Sequence, residues 1–325
     1  MADLDAFSDI VVQVAGIRAS GLKAGSDGGI SLMLDVSGLA VSERDELEAR
    51  LKKDLEQAGA TSVRVMMTAE RIVPRLIAVA SGKGGVGKST LSTNLAVAMA
   101  RAGRAVGLVD ADIYGPSQPR LLGAEGVKPV AEGEKLVPVK GAADIPFLSM
   151  GQLAKPGQAI AWRGPMAGNA LSQLVDASWG NVRDIVVDMP PGTGDIQLSM
   201  IQKHKPIGAV IISTPQDLAL MDAARAIGFF DTAKVPIIGL VENMAGYICP
   251  HCGEVSEPFG SGGAEAAAAE MGIAFLGRIP LDISIRLASD AGEPPALGDG
   301  PIASAYAAIA AQISDWIDAR KANAA

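Results

Sequence analysis

Two hydrophobic patterns divide the chain. Near its start, apolar and polar residues alternate over 30–37 and again over 63–67, which is the period of half-buried strands. Between them, leucines recur at every fourth residue from 47 to 55, as on one face of an amphipathic helix. This strand–helix–strand pattern predicts a small α+β domain over residues 1–70.

The pattern changes over residues 71–325 to short, continuous apolar runs separated by glycine turns and helical stretches. Runs that are apolar on both faces are typical of parallel strands covered by helices on each side. We therefore predict an α/β domain with a mostly parallel sheet flanked by helices. The predicted strands are 76–80, 105–109, 185–187, 209–212, 237–241 and 273–276, and the predicted helices are 90–102, 167–178, 218–230, 264–269 and 302–319.

Composition and charge narrow the class of protein. The 325 residues are 49% hydrophobic, which is enough for a large core, and the formal net charge is −8. An acidic chain lacks the basic surface that nucleic acid phosphates require, so no nucleic acid partner is expected. No apolar run reaches the roughly 20 residues of a membrane helix, and the acidic start does not resemble a secretion signal. We expect a cytoplasmic protein with no membrane partner.

A glycine-rich segment follows the first predicted parallel strand and opens a predicted helix. It matches G-x-x-x-x-G-K-[ST], the phosphate-binding loop of P-loop NTPases, in the strand–loop–helix context that gives this motif its meaning. We expect its backbone N–H groups to surround the phosphates of ATP, Lys88 to reach the β- and γ-phosphates, and Ser89 to bind Mg²⁺. The segment consists of Gly82, Lys83, Gly84, Gly85, Val86, Gly87, Lys88, Ser89 and Thr90.

Carboxylates stand at the ends of two predicted strands. Asp112 follows the run that ends at Val109, and Asp188 directly follows Val187. Open α/β sheets bind ligands at the carboxyl ends of their strands. An apolar run ending in an acid is the Walker B pattern, which predicts that Asp188 lies near Mg²⁺.

The only two cysteines of the chain, Cys249 and Cys252, form a C-x-x-C pair around Pro250 and His251. A secreted disulfide scaffold would carry more cysteines, spread along the chain. Two thiolates cannot by themselves fill a tetrahedral zinc site or hold a cubane cluster, each of which needs four ligands. Three interpretations remain: a metal or cluster shared by two chains, a metal bound with His251 and another group, or a redox pair.

Lys83 gives the loop a second lysine, K-G-G-x-G-K-[ST], which resembles the deviant Walker A family of MinD, ParA, the arsenical pump ATPase and the nitrogenase iron protein. The resemblance implies that Lys83 reaches the nucleotide of a partner subunit in a homodimer and that Asp112 positions the attacking water. It also implies that Asn243 binds adenine and that Pro280 belongs to the base pocket. The chain lacks the N-K-x-D tetrad of GTP-binding proteins, so ATP is expected.

Further segments resemble the Mrp/ApbC family of iron–sulfur cluster carrier ATPases. They are 82–90, 110–117, 162–166, 188–195 and 242–252. The resemblance implies a homodimer that binds a labile [4Fe–4S] cluster through both C-x-x-C pairs and transfers it to apo-proteins, with ATP hydrolysis. It also implies contact with cluster scaffold proteins. The N-terminal region has the size of the small domain that precedes many bacterial relatives, but it lacks that domain's Asp-Pro-Glu segment and cysteine.

The main alternative is an ATPase switch of the MinD/ParA type that acts on a membrane or DNA. Such a protein needs a basic amphipathic tail or a basic surface. The last predicted helix ends in residues of mixed charge, and the cysteine pair has no purpose in this alternative. An electron donor like the nitrogenase iron protein is a second alternative, but its cysteines are single and widely separated. The sequence therefore favours the cluster carrier.

Overall fold

The structure, a computed structural model, describes residues 4–39, 41–69, 72–153, 164–249 and 251–322. The chain divides into two compact units, Met1–Val73 and Pro74–Ala325. The boundary lies where the hydrophobic pattern changes from alternating positions to continuous apolar runs.

The first unit packs two helices against a small sheet. Strand β2 is central, pairing antiparallel with β1 and parallel with β3. Leu32 and Leu34 of β2 and Leu51 and Leu55 of α2 are buried in its core, because the alternating and fourth-residue patterns each place leucines on one face. The elements are α1 (Leu4–Ala15), β1 (Ala19–Ala24), β2 (Gly29–Asp35), α2 (Val41–Gln57) and β3 (Ser62–Thr68).

The second unit is built on a mostly parallel sheet with the strand order β13-β12-β11-β4-β10-β5-β9-β8, with β14 also paired to β12. The outer strands β13 and β8 run antiparallel to their neighbours. Strands β6 and β7 form a separate hairpin. The strands are β4 (Arg75–Ala80), β5 (Val106–Asp110), β6 (Val130–Glu132), β7 (Lys135–Val137), β8 (Val139–Lys140), β9 (Pro146–Ser149), β10 (Asp184–Asp188), β11 (Gly208–Ser213), β12 (Ile237–Ile248), β13 (Val255–Ser256) and β14 (Phe275–Leu281).

Helices cover both faces of this sheet. Along β4, Leu76, Ala78 and Ala80 belong to one buried cluster and Ile77 and Val79 to another, which explains why the run is apolar at every position. None of the helices in the described parts of the chain is long and apolar enough to cross a membrane. The helices are α3 (Lys88–Arg101), α4 (Gln118–Leu121), α5 (Met150–Leu153), α6 (Gly164–Val175), α7 (Asp195–His204), α8 (Asp217–Thr232), α9 (Gly263–Glu270), α10 (Ile283–Ala291) and α11 (Pro301–Ala322).

Two predicted strands are longer than the sequence pattern indicated. Strand β12 continues beyond Val241 to Ile248, and β14 continues to Leu281, so both Asn243 and Pro280 lie within strands. The prediction that these strands stop after their apolar runs was wrong because the polar Glu242 and Asn243 continue β12, and Gly277 and Arg278 continue β14. The buried Glu242 carboxylate of β12 is neutralised by Arg278 of β14, with Nε 2.9 Å from Oε1.

Candidate functional site

The glycine-rich loop runs from the end of β4 into α3, and two of its glycines have no room for a side chain. A Cβ on Gly82 would lie 2.0 Å from the Asp222 carbonyl oxygen, and one on Gly87 would lie 2.1 Å from Nδ2 of Asn243. Gly85 and Gly87 have φ of 81° and 88°, in the left-handed region that favours glycine. No side chain caps the start of α3 at Gly87. The first N–H groups of this helix therefore suit an anion such as a phosphate.

Lys88, the first residue of α3, brings an ammonium group into a buried set of oxygens. Its side chain is only 7% exposed, and Nζ forms an ion pair with Asp188. The same nitrogen lies 3.3 Å from Oγ of Ser89 and 3.8 Å from Oδ2 of Asp112. Hydroxyl and carboxylate oxygens are the ligands that Mg²⁺ prefers, so the donor set around Lys88 fits this ion beside a bound phosphate.

Behind Lys88, two carboxylates lie side by side on neighbouring strands. Asp188 of β10 and Asp110 of β5 are paired in register, and both are fully buried. Nε2 of Gln118 donates to Oδ2 of Asp188 at 2.8 Å, and Oγ of Ser149 donates to Oδ2 of Asp110, also at 2.8 Å. Burial, followed by the nearby charge of Asp188, raises the pKa of Asp110 to about 7.

Asp112 and the segment after Asp188 lie at the same edge of the sheet. Oδ1 of Asp112 accepts hydrogen bonds from the backbone N–H groups of Tyr114 (3.0 Å) and Gly115 (3.3 Å), which fixes the carboxylate while Oδ2 faces Lys88. The N–H of Gly192 donates to the Ser81 carbonyl at 3.1 Å. The segment after Asp188 is thus joined to the start of the phosphate-binding loop.

The residues expected around the base are also near the loop. Nδ2 of Asn243 donates to the Val86 carbonyl at 2.8 Å, so in this structure the Asn243 amide supports the loop itself. Asn243 pairs in register with Ile279 of β14, which puts the half-buried Pro280 next to it. Lys83 is half-buried, and its carbonyl accepts a hydrogen bond from Oγ of Ser81 at 2.8 Å. The adenine contact and the partner contact of Lys83 remain predictions.

The cysteines lie in a hairpin formed by the end of β12 and β13, which we call the cysteine hairpin (residues 247–249 and 251–256). The N–H of Cys249 donates to the Glu254 carbonyl, and the N–H of Gly253 donates back to the Cys249 carbonyl, both at 2.9 Å. Backbone N–H groups of Cys252 and His251 donate to the Cys249 thiol and lower its pKa. Cys249 is half-buried and Cys252 is exposed, and neither forms a disulfide. This arrangement favours a thiolate that other molecules can reach.

Comparison with known proteins identifies the family. A family model described as the NUBPL iron-transfer P-loop NTPase, of the ParA type, matches residues 72–314. The chain belongs to this family. An iron-sulfur cluster carrier protein of Pseudomonas fragi is 47% identical over 243 residues, which cover 73% of this chain and 84% of that protein. The resemblance expected from the sequence is confirmed.

Two solved structures agree with the fold of an iron-transfer P-loop NTPase. A nucleotide-binding protein from Archaeoglobus fulgidus in complex with ADP is 40% identical, with a TM-score of 0.61 over 69% of this chain and 89% of that one. The septum site-determining protein MinD of Pyrococcus horikoshii, complexed with Mg-ADP, is 23% identical, with a TM-score of 0.57 over 74% of this chain and 96% of that one. The likeness to MinD concerns the fold alone. The predicted α/β fold is confirmed.

The structure adds residues that motif matching did not select. Gln118 is fully buried and joins Asp188 to the Ser89 carbonyl, to which Nε2 donates at 3.0 Å. Asp110 opens the segment 110–117 and stands at the end of an apolar run, which is the same signal that predicts a role for Asp188. The sequence signal nearest to Gln118 is the segment 110–117, which Gln118 directly follows.

Some sequence expectations fall outside the described residues. They concern Trp162 and Arg163 at the start of the segment 162–166, and Pro250 between the cysteines. The structure does bring together the phosphate-binding loop, Asp112, Asp188 and Asn243. The cysteines lie at the far end of β12, with Cys249 six residues along the chain from Asn243.

Proposed function

We propose that this chain is an ATP-dependent iron–sulfur cluster carrier that binds one labile [4Fe–4S] cluster per homodimer and delivers it to apo-proteins, with ATP hydrolysis. The observation that carries the proposal is that β12 connects Asn243, which contacts the phosphate-binding loop, to a hairpin that holds both cysteines of the chain, with Cys249 half-buried and Cys252 exposed. Backbone N–H groups of Cys252 and His251 lower the pKa of the Cys249 thiol and so favour the thiolate, which is the form that binds iron. Membership of the iron-transfer family and the name of the P. fragi relative support the same function.

The homodimer follows from the number of ligands. A [4Fe–4S] cluster takes about four thiolates, and the whole chain contains Cys249 and Cys252 alone. The two cysteines are too close in sequence to serve separate clusters, so a pair from each of two subunits completes the set. Because Cys252 is exposed, a second subunit and then an acceptor protein can reach the cluster.

The nucleotide site supplies the ATP-dependent part of this function. We assign Lys88 to the charge of the β- and γ-phosphates, and Asp112 to the orientation of the attacking water. Ser89 and Asp188 would hold Mg²⁺, which when bound neutralises phosphate charge. Lys83 is half-buried, so part of its side chain stays accessible to a partner subunit.

Asn243 and Pro280 would form the contacts to adenine. The proposed partners are a second copy of this chain, apo iron–sulfur proteins and the scaffold proteins that load the cluster. We also propose a cytoplasmic location, because a labile cluster on thiolates requires a reducing compartment.

Anaerobic reconstitution with iron and sulfide tests the proposal. Wild-type protein should gain the broad visible absorption of a cluster, contain four irons per two chains, and run as a dimer in native mass spectrometry. Cys249→Ser and Cys252→Ser should each remove two of the four ligands of the dimer, abolish the absorption and keep ATP binding. Lys88→Ala is the matched control, since it should lose tight ATP binding and keep the cluster.

Two results would contradict the bridging cluster. One is a reconstituted monomer that holds a complete cluster, and the other is retention of the cluster by either serine variant. If iron binds at one atom per chain without the visible absorption of a cluster, the site is a simple metal site and the carrier function is wrong.

A further inference from the structure

From the sequence, Asn243 is expected to bind adenine. In the structure its side-chain amide contacts the phosphate-binding loop. Nδ2 donates to the Val86 carbonyl at 2.8 Å, and Val86 is only 2% exposed. A Cβ at Gly87 would lie 2.1 Å from the same nitrogen. The Asn243 amide therefore touches the backbone of two successive loop residues, and a displacement of the loop must act on this side chain.

The part of β12 that precedes Asn243 is held firmly. Glu242 is fully buried, and its carboxylate accepts hydrogen bonds from the Ala264 N–H at 2.8 Å and from Nε of Arg278 at 2.9 Å. Strand β12 is also paired in parallel with β11 on one side and with β14 on the other. A shift at Asn243 is therefore resisted on its N-terminal side.

The part of β12 that follows Asn243 is irregular. Met244 has φ of 60° and Gly246 has φ of 70°, and the register with β14 shifts between Asn243 and Tyr247. Pairing resumes at Tyr247, which faces Ser256 in the cysteine hairpin and Leu281 of β14. At about 3.3 Å per residue, the segment from Asn243 to Cys249 spans at most about 20 Å. A fixed strand, a bent segment and a hairpin thus follow one another along a single stretch of chain.

We propose that Asn243 is a positioning residue that transmits the state of the phosphate-binding loop to the cysteine hairpin through the bend at residues 244–246. When nucleotide moves the Val86 carbonyl, the Asn243 amide follows or loses its hydrogen bond, and the bend redirects the hairpin. This inference rests on the proposed function, because it explains how ATP at one site changes the release of a cluster at another. It differs from an adenine contact, which would affect affinity alone.

Thiol alkylation of the cluster-free protein tests the inference without any cluster. The chain has only two cysteines, so peptide mass spectrometry after a pulse of iodoacetamide gives a separate rate for Cys249 and Cys252. In the wild type, saturating Mg-ATP should change the Cys249 rate by about fivefold, the lower end of typical coupling between sites. In Asn243→Ala and Asn243→Asp, neither of which can donate to Val86, the rates with and without saturating nucleotide should agree.

Two further variants test whether a lost alkylation response reflects lost coupling between the loop and the hairpin rather than misfolding or lost ATP binding. Asn94→Ala removes another amide that supports α3, where Nδ2 donates to the Thr90 carbonyl at 2.8 Å, but it leaves β12 unchanged and should keep the fivefold response. Gly246→Ala places a side chain at a left-handed position in the bend, three residues beyond Asn243, where its Cβ would lie 3.9 Å from Cγ1 of Val255. It should lose the response with an unchanged ATP affinity. If Asn243→Ala no longer binds ATP, the test of the inference rests on Gly246→Ala alone.

The inference is overturned if the Asn243 variants or Gly246→Ala keep the wild-type response at saturating nucleotide. It is also overturned if Mg-ATP leaves both cysteine rates of the wild type unchanged. That second result would not contradict the carrier function, because reconstitution and the iron count test cluster binding independently.

Discussion

Replacing Asp110 with asparagine should change how the stability of the nucleotide-free protein depends on pH. The carboxylate is fully buried beside Asp188 and accepts hydrogen bonds from the Gln118 N–H (3.1 Å), the Asp112 N–H (3.2 Å) and the Ser149 hydroxyl (2.8 Å). The asparagine side chain would not be charged at any pH, but its amide nitrogen cannot accept these bonds. The substitution therefore exchanges a titrating group for a neutral one with one misplaced donor.

The expected size of this pH-dependent change in stability follows from the pKa of Asp110. Burial and the charge of Asp188 raise this pKa from 3.8 to about 7, although hydrogen bonds from Ser149 and Gln118 and the charge of Lys88 oppose the shift. The folded protein thus binds this proton more tightly than the unfolded chain. The stabilisation of the folded protein by protonated Asp110 is fully present below pH 4 and is lost as the pH rises through 7. A difference of about 3 pKa units corresponds to about 4 kcal/mol, of which about 3 kcal/mol is lost between pH 5 and 8.

Urea unfolding without nucleotide, followed by tryptophan fluorescence at several pH values from 5 to 8, measures this effect. Trp162, Trp179 and Trp316 all belong to the second unit, so the signal reports that unit alone. Subtracting the wild-type curve from the Asp110→Asn curve cancels other titrations. One of these is His204, whose pKa burial lowers and whose contribution has the opposite slope.

The variant should be less stable than the wild type at pH 5, because a buried N–H without an acceptor costs about 1–3 kcal/mol. Relative to the wild type it should gain about 3 kcal/mol by pH 8. Curves that stay parallel within about 0.5 kcal/mol, the scale of ordinary surface effects, would refute the reasoning and show that Asp110 remains ionised throughout this range.

Four further substitutions test the nucleotide site. Lys88→Ala should abolish tight ATP binding in calorimetry, whereas Lys83→Ala should reduce turnover more than binding, and equal losses in both would contradict a role of Lys83 across a dimer. Asp112→Asn should bind Mg-ATP normally and hydrolyse it about 100-fold more slowly, so wild-type turnover would exclude Asp112 from the reaction. Gly82→Ala should lower the free energy of unfolding by about 1–3 kcal/mol, because its Cβ would lie 2.0 Å from the Asp222 carbonyl oxygen. An unchanged urea midpoint would show that α8 can shift away from this Cβ without loss of stability.

The fold of the second unit could be predicted because parallel strands covered on both sides carry their signal in consecutive residues. The run from Leu76 to Ala80 is apolar at every position, and each side chain is buried. In the first unit, α1 was not predicted although Phe7, Val11 and Ala15 recur at every fourth residue and are buried. Strand β1 has no comparable signal, because its residues are exposed or only half-buried.

The candidate site likewise combines residues that a local sequence pattern predicts with residues that it does not. Residues of the phosphate-binding loop could be named from sequence because their chemistry depends on local spacing, with the helix following directly at Lys88. The contact of Asn243 with Val86 joins positions 157 residues apart, and that of Gln118 with Asp188 joins positions 70 apart. No local pattern records such pairs. They result from the order in which β12, β4, β10 and β5 meet in the sheet.

The excess of buried negative charge around Lys88 predicts that this site binds a cation from outside. The ammonium faces two carboxylates, Asp188 and Asp112, while Asp110 lies behind Asp188. Burying ions is costly unless their charges are balanced, and protonation of Asp110 is one way in which the nucleotide-free protein reduces the excess negative charge. A divalent cation beside Ser89 and Asp188 is another, and it would leave the Lys88 ammonium available to a phosphate. The arrangement that raises the pKa of Asp110 therefore also predicts that nucleotide binds with Mg²⁺ rather than alone.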